Sequence, residues 1–235
     1  MVAIGSTATR KPTPRPGKSC SASRRTDPLA EIEFFFDLSS PWTRLAFHNI
    51  QPIALETGAS IVWRPFLVGG VFNAVNPTVY AGRADADNPK HRNTFKWLKD
   101  WARLAEVPMN FPSRHHPLKS VRAMRACCAL EDDQAALFRF AEAAFNAYFG
   151  DKMNLDDAEV LTQVADAAGF DGAALLRRSE QDEVKLRLRA NTQEVIDRGG
   201  FGSPSIFINK TDLYFGNDQL PIVRLALQES VARAS

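Results

Sequence analysis

The chain has 235 residues, of which 45% are hydrophobic and 24% are charged, and its formal net charge is +2. These values are ordinary for a globular protein with a core of its own, and so small a net charge gives no support for nucleic-acid binding. No segment approaches the roughly 18 consecutive apolar residues that a membrane-spanning helix needs.

The cysteines Cys20, Cys127 and Cys128 form neither a disulfide framework nor a set with metal-ligand spacing. We therefore predict a reduced, cytoplasmic protein with no metal site and no nucleic-acid or membrane partner. Residues 1–28 are basic and rich in Ser, Thr, Pro and Arg, which predicts a disordered N-terminal extension. Organelle targeting by this basic tail stays open, although its prolines disfavour the amphipathic helix of a transit peptide.

The first part of the ordered chain alternates between strand and helix. The aromatic run Ile32–Asp37 predicts a buried strand. Ser40-Pro41 predicts the start of a helix that ends near Gly58, because a hydroxyl can cap the helix and proline suits its first turn. A second strand is predicted over Ser60–Phe66, with a break near Gly69-Gly70. Strand, helix and strand in this order predict a right-handed βαβ unit.

The remainder predicts a block of helices and then a second α/β segment. Apolar residues at helical spacing mark residues 71–181, and a long helix follows over Asp182–Arg198. Two short strands, Ser205–Asn209 and Leu213–Phe215, predict a hairpin before the last helix. The sequence therefore predicts an α/β domain, residues 29–70 and 182–235, that is split by an all-helical insertion at residues 71–181.

Three short segments have residue types that suit a binding site. The first is Ser39–Thr43, where a hydroxyl at a helix start either caps the helix or favours an anion. The second is Phe201–Ser205, where a proline entering a strand suggests a cis Ser203-Pro204 bond. The third is Gly216-Asn217-Asp218, which either caps the last helix or binds an ammonium group. Each segment alone favours the structural interpretation.

Together the three segments converge at one end of a thioredoxin-like sheet, and the chain from about Ile32 to Leu227 resembles a known family. It is similar to the glutathione-dependent branch of the DsbA-like superfamily, which includes 2-hydroxychromene-2-carboxylate isomerases and kappa-class glutathione transferases. The resemblance implies a thioredoxin-like fold, βαβ…αββα, with a large helical insertion. The motifs that carry it are Phe35–Pro41, Arg64–Phe72, Asn76-Pro77, Phe111-Pro112, Ala123-Met124-Arg125, Phe201–Pro204 and Phe215–Asp218.

The resemblance also implies roles for individual residues and a homodimeric assembly. Ser40 matches the family's catalytic serine, whose hydroxyl would hold the sulfur of glutathione as a thiolate. The other implied contacts to glutathione are Pro41 and Trp42 around the sulfur, Ser203 and Pro204 along the cysteinyl part, Asn217 and Asp218 at the γ-glutamyl end, and Asn76 nearby.

The sequence departs from the family pattern at several positions. Arg44 stands where an aromatic residue is common, Gln219 stands where arginine is frequent, and Asn76-Pro77 lacks a basic residue between its members. These departures bear on substrate shape and on the anchoring of the tripeptide. His115-His116 beside Pro117 predict an exposed loop, because no second ligand pair has zinc spacing.

The site lacks its own sulfur, since Ser40-Pro41-Trp42-Thr43 stands where redox relatives have Cys-x-x-Cys. Dithiol exchange is therefore excluded at this site, and an external thiol such as glutathione would restore the sulfur. The resemblance implies a glutathione-dependent isomerase that acts on a small aromatic substrate by reversible conjugate addition and cis–trans rotation. The alternatives are a kappa-like transferase and a non-catalytic protein that binds glutathione or a partner.

Overall fold

The computed structural model describes residues 1–2, 30–77 and 89–234. Within these residues the strands are β1 (Glu31–Phe36), β2 (Ser60–Pro65), β3 (Ser205–Ile208) and β4 (Asp212–Phe215). They form one sheet in the order β2-β1-β3-β4. β1 is parallel to β2 and antiparallel to β3, and β3 is antiparallel to β4. The predicted N-terminal extension lies outside the described residues except for its first two.

Helices cover the sheet and build the insertion. α1 (Pro41–Thr57) joins β1 to β2, and α2 (Val68–Val75) follows β2. The helices between them and the second half of the sheet are α3 (Pro89–Leu104), α4 (Val121–Ala129), α5 (Gln134–Phe145), α6 (Ala158–Ala167), α7 (Gly172–Ser179) and α8 (Asp182–Asp197). A π-helical turn (Asn146–Gly150) continues α5, and a 3-10 turn (Asn217–Gln219) leads into α9 (Leu220–Ala234). None of these helices is both long enough and apolar enough to cross a membrane.

Strand β1 is the centre of the core because it is buried on both faces. Phe34 and Phe36 pack on the ring of Phe47 in α1, at centroid distances of 6.1 and 5.7 Å. Phe35 points to the opposite face, where it contacts Phe66 and Phe207. Successive side chains of a strand alternate between faces, so this aromatic run supplies both apolar layers and fixes the register of the strand.

Helix α1 begins and ends where its local chemistry predicts. The Ser40 hydroxyl accepts a hydrogen bond from the Thr43 N–H at 3.2 Å, and Pro41 occupies the first turn. Gly58 ends the helix with φ 69°, a left-handed conformation that costs glycine little. The predicted boundaries of this helix are confirmed.

The predicted break at Gly69-Gly70 is wrong, because both glycines lie in the first turn of α2. The strand before them ends earlier, at Pro65. A Cβ built on Gly70 would lie 2.9 Å from Cγ2 of Thr192 in α8, so glycine here allows the two helices to approach closely. The predicted domain boundary after residue 70 falls inside this helix.

A partly buried network of charges ties α8 to the sheet. Arg64 of β2 bonds Glu33 at 3.3 Å, Glu131 at 3.1 Å and Glu194 at 2.6 Å. Arg198 bonds the same Glu33 at 2.6 Å and Glu194 at 2.7 Å. The two guanidinium groups therefore neutralise carboxylates that would otherwise be poorly hydrated.

We expect Arg64→Ala to lower the free energy of unfolding by roughly 3 kcal/mol, because it leaves partly buried carboxylates without their counter-charge. Arg103→Ala is the matched control, since the Arg103 side chain is 83% exposed and its bond to Asp100 contributes little. Urea unfolding of both variants checks the expectation. Equal losses for the two arginines would contradict it.

Candidate active site

The site forms where the turn between β1 and α1 meets the turn before β3. The Ser40 hydroxyl donates to the Ser203 carbonyl oxygen at 3.2 Å while it also accepts from the Thr43 N–H. Ser40 therefore caps α1 and faces the second turn at once. Its position at the positive end of a helix favours a negative charge nearby.

The Ser203 side chain locks the two turns together. The Ser203-Pro204 peptide bond is cis, as the sequence suggested. The Ser203 hydroxyl oxygen accepts from the Asp37 N–H at 3.0 Å and lies 2.7 Å from the hydroxyl oxygen of Thr43. Ser203 is 6% exposed, so these bonds form away from solvent.

Asp37 lies behind the site, and no local pattern of residues predicts its role there. One carboxylate oxygen accepts from the Ser39 N–H at 2.9 Å, and the other accepts from the Val68 N–H at 2.9 Å and the Ser120 hydroxyl at 3.1 Å. The donors belong to the site turn, to α2 and to the start of α4. Complete burial of the carboxyl raises the pKa of Asp37, although these hydrogen bonds oppose the shift.

A cavity of about 780 Å³ opens in front of Ser40. Its volume is in the range of small-molecule sites, and most of its lining is apolar or aromatic. The α/β unit and the helical insertion both contribute walls. The lining residues are Ser39, Ser40, Pro41, Trp42, Val68, Phe72, Thr94, Phe95, Phe111, His116, Pro117, Ser203 and Phe215.

The structure brings together four of the predicted site residues in this lining: Ser40, Pro41, Trp42 and Ser203. The turn before β3 carries Pro204 directly after the last of them. The roles of these residues toward a ligand stay predictions.

The remaining predicted residues do not line the cavity among the described residues. Asn76 follows the last residue of α2 and donates its N–H to the Phe72 carbonyl. Asn217 is 1% exposed, and its side-chain oxygen accepts from the Asn49 amide of α1 at 2.8 Å. Asp218 is exposed to solvent.

Capping of the last helix by Asn217 or Asp218 is wrong. Gly216 precedes the 3-10 turn, and no side chain makes a capping hydrogen bond there. The Asn217 amide instead turns inward to α1, where it joins the two helices that flank the sheet. The Asn217 side chain thus bonds Asn49 of α1 and not a backbone N–H at the start of the helix.

Arg44, a departure from the family pattern, is buried beside the site rather than in its wall. It is 4% exposed, its Nη2 donates to the Asn146 amide oxygen at 2.5 Å, and its guanidinium lies 5.9 Å from the centre of the Phe145 ring. Burial lowers the pKa of this guanidinium, and the nearby Glu142 opposes the change. Arg44 therefore joins α1 to the π-helical turn.

His116 is the functional candidate that sequence reasoning missed. The pattern predicted an exposed loop, but the ring is half-buried and packs edge-on against Phe111 at 4.6 Å. It lines the cavity in front of Ser40 and an adjoining cavity of about 540 Å³. The motif Phe111-Pro112, which lies close before His116 in the sequence, was the one pattern that could have indicated a site residue here. Within residues 30–77 and 89–234, no group of three or more His, Cys, Asp or Glu side chains could hold a metal ion.

The chain belongs to the family of DsbA-like thioredoxin domains, whose pattern matches residues 31–228. Within it, the chain is 31% identical over 195 residues to the 2-hydroxychromene-2-carboxylate isomerase of Sphingobium xenophagum, covering 80% of this chain and 93% of that one. It is 27% identical over 190 residues to the isomerase of the same name from Pseudomonas sp. (strain C18), covering 80% and 86%. It is 23% identical over 211 residues to glutathione S-transferase kappa 1 of Caenorhabditis elegans, covering 86% and 92%.

Solved structures agree on the fold. A 2-hydroxychromene-2-carboxylate isomerase superposes with a TM-score of 0.70 at 22% identity, covering 87% of this chain and 97% of that one. The cytosolic disulfide reductase DsbM of Pseudomonas aeruginosa, solved with GSH, gives 0.59 at 13% identity, covering 86% and 99%. The predicted fold class, a DsbA-like thioredoxin fold with many added helices, is confirmed.

The raised pKa of Asp37 predicts a specific pH dependence of stability. From pH 3.8, its ordinary pKa, up to its raised value, the folded state holds a proton that the unfolded chain has lost. The folded state then binds more protons, so this group's contribution to the free energy of unfolding falls as pH rises. The advantage of the wild type over Asp37→Asn should therefore shrink with rising pH. Urea unfolding from pH 4 upward measures it, and an advantage that grows with pH would refute the assignment.

Proposed function

We propose that this protein is a glutathione-dependent isomerase that acts on aromatic compounds resembling 2-hydroxychromene-2-carboxylate. The observation that carries the proposal is the Ser40 hydroxyl, held 3.2 Å from the Ser203 carbonyl at the mouth of a cavity with aromatic walls. The most similar relatives named above are isomerases of this substrate, which supports the choice of reaction.

The side chains at this site fit a ligand that brings its own sulfur. Ser40 and Thr43 have hydroxyl groups where redox relatives have thiols, so these side chains cannot exchange a disulfide and a ligand would have to bring the sulfur. Cys127 and Cys128 are fully buried, and burial raises the pKa of both thiols. Neither thiol substitutes for an external one, because the thiolate is the nucleophile.

The chain's own groups would hold glutathione and orient it. Ser40 would redirect its hydroxyl proton from the Ser203 carbonyl to the sulfur, and Pro41 and Trp42 would wall the sulfur in. The turn of Ser203 and Pro204 would run beside the cysteinyl part of the tripeptide. Contacts of Asn76, Asn217 and Asp218 to the tripeptide stay predictions.

Glutathione when bound supplies a nucleophilic thiolate, whose reversible addition turns a conjugated double bond into a rotatable single bond. The protein's task is then to position this thiolate and the aromatic substrate against each other. A charge-assisted hydrogen bond from Ser40 is worth roughly 1.5–3 kcal/mol, which would lower the thiol pKa by about one to two units. Aromatic walls, including Trp42, Phe72 and Phe111, suit a planar substrate.

A kappa-like transferase is the second candidate, because relatives named glutathione S-transferase kappa also match most of the chain. Incubation with benzylidenepyruvate separates the two reactions. An isomerase returns glutathione unchanged after each turnover, whereas a transferase consumes one equivalent per product. Binding of glutathione without conversion of any arylidene pyruvate would identify a non-catalytic protein instead.

We expect Ser40→Ala to lower kcat/KM by about 10- to 100-fold, because it removes the hydrogen bond worth roughly 1.5–3 kcal/mol. The ultraviolet thiolate band of glutathione bound near neutral pH should disappear in the same variant. Difference spectra at saturating glutathione and steady-state kinetics provide the two measurements.

Two further variants separate this effect from the loss of a helix cap. Ser40→Gly removes the hydroxyl at a capping cost of only a few tenths of a kcal/mol, so its spectrum should match that of Ser40→Ala. Ser230→Ala is the control, since it removes a helical hydroxyl outside the cavity. A thiolate band that survives in both Ser40 variants would exclude the proposed role of this serine.

A further inference from the structure

His116 is distinguished by its chemistry among the residues around the cavity. Of the described lining residues, it alone carries an imidazole, the side chain whose ordinary pKa lies closest to neutral pH. The others are hydroxyl-bearing, apolar or aromatic. Among the described lining residues, His116 is therefore the candidate for giving a proton to a substrate that develops negative charge away from Ser40.

Hydrogen bonds around Tyr148 define which nitrogen of His116 carries the proton. The Tyr148 hydroxyl donates to the His115 carbonyl oxygen at 3.1 Å and lies 3.4 Å from Nδ1 of His116. A carbonyl oxygen can only accept, and when the hydroxyl proton is used there, Nδ1 is the donor to the hydroxyl oxygen. Neutral His116 then has its lone pair on Nε2, and the imidazolium form has a proton there.

The surroundings keep this ring in place. Phe111 packs edge-on against the ring of His116. Tyr148 is 1% exposed, and burial together with the nearby Asp156 raises its pKa to about 12, so it stays a neutral partner. Asp37 and Lys119 carry charged groups and line the adjoining cavity together with His116. On its own loop, Arg114 donates to His115 at 3.0 Å.

The proposed reaction creates a need for such a donor. Addition of a nucleophile to a double bond conjugated with a carbonyl group pushes an electron pair onto the carbonyl oxygen. In an apolar cavity, an oxygen anion without a donor is costly. We propose that His116 is a catalytic residue that gives its Nε2 proton to this oxygen of the substrate and takes it back when the nucleophile leaves. This inference rests on the function proposed above.

The proton and electron balance closes within one turnover. When the carbon–sulfur bond forms, the carbon–carbon π pair shifts into the bond next to the carbonyl carbon, and the carbonyl π pair moves onto the oxygen, which receives the proton of the His116 imidazolium. After rotation, neutral Nε2 removes that proton, the electron pair returns to form the double bond, and the carbon–sulfur bond breaks. No oxidant or further reactant is required. Ser40 and His116 thus serve opposite ends of one conjugated system.

We expect His116→Gln to lower kcat by roughly 100-fold at saturating glutathione and substrate, the lower range for loss of a general acid–base group. The wild-type kcat should fall on the alkaline side as the imidazolium is lost, and this fall should be missing in the variant. His115→Gln is the matched control, because His115 does not line the cavity and keeps its backbone carbonyl. Its pH profile should equal that of the wild type.

Two other results would overturn the inference. A raised KM with unchanged kcat would make His116 an anchor for the substrate rather than a proton donor. An unchanged alkaline limb in His116→Gln would assign that limb to another group. In either case, the thiolate band lost in Ser40→Ala reports separately on the proposed function, because His116→Gln should keep that band.

Binding without glutathione supplies a measurement independent of turnover. The saturated analogue 4-phenyl-2-oxobutanoate has the ketone and carboxylate but no conjugated double bond. In the wild type, its binding should raise the midpoint of the His116 imidazole titration followed by NMR, with the signal assigned by its absence in His116→Gln. Saturation binding that leaves this midpoint unmoved would contradict contact between His116 and the substrate oxygens.

Discussion

The site depends on the bonds that Ser203 makes to the turn between β1 and α1. Its hydroxyl oxygen accepts a hydrogen bond from the Asp37 N–H and pairs with the Thr43 hydroxyl, while its carbonyl oxygen accepts a hydrogen bond from the Ser40 hydroxyl. Two segments more than 160 positions apart in sequence are thereby fixed within hydrogen-bond distance of each other. Because these bonds are largely buried, the Ser40 hydroxyl has a defined direction before any ligand arrives, and little ordering is left to be done on binding.

The insertion contributes the second half of the site. Thr94, Phe95, Phe111 and His116 bring apolar walls and a titratable ring to the cavity in front of Ser40. The hydrogen bond from Ser120 to the Asp37 carboxylate ties the start of α4 to the same turn that carries Ser40. A thioredoxin-like sheet alone would present its helix start to open solvent, and the insertion adds walls to form a cavity of about 780 Å³ at that position. The insertion therefore supplies walls of the cavity, and the turns at the end of the sheet supply the Ser40 hydroxyl.

Local sequence patterns predicted most of the helices and strands. The features that they did not predict depend on contacts between residues far apart in the sequence. The helix start at Ser40 follows from one hydroxyl and one proline, so neighbouring residues are sufficient to predict it. Gly70 was predicted to break the chain, but it lies in a helix, where its lack of a side chain allows close approach to Thr192 of α8. Asn217 looked like a cap, but its amide bonds Asn49 of α1. The positions of His116 and Asp37 at the site were not predicted for the same reason, because their burial depends on elements far away in the sequence.

In the function proposed above, the balance between Ser40 and His116 follows from the energetics of the glutathione thiolate. A lower thiol pKa raises the thiolate fraction near neutral pH, but nucleophilicity falls with pKa at a slope of about 0.4–0.5, which erases much of the gain. Activation of sulfur by Ser40 would therefore have limited value for addition, although a better leaving group would help elimination. In the proposed reaction the larger contributions would come from positioning, whose effective molarities reach about 10⁵ M or more, and from relief of charge on the substrate oxygen. The aromatic walls of the cavity and the His116 ring would supply both.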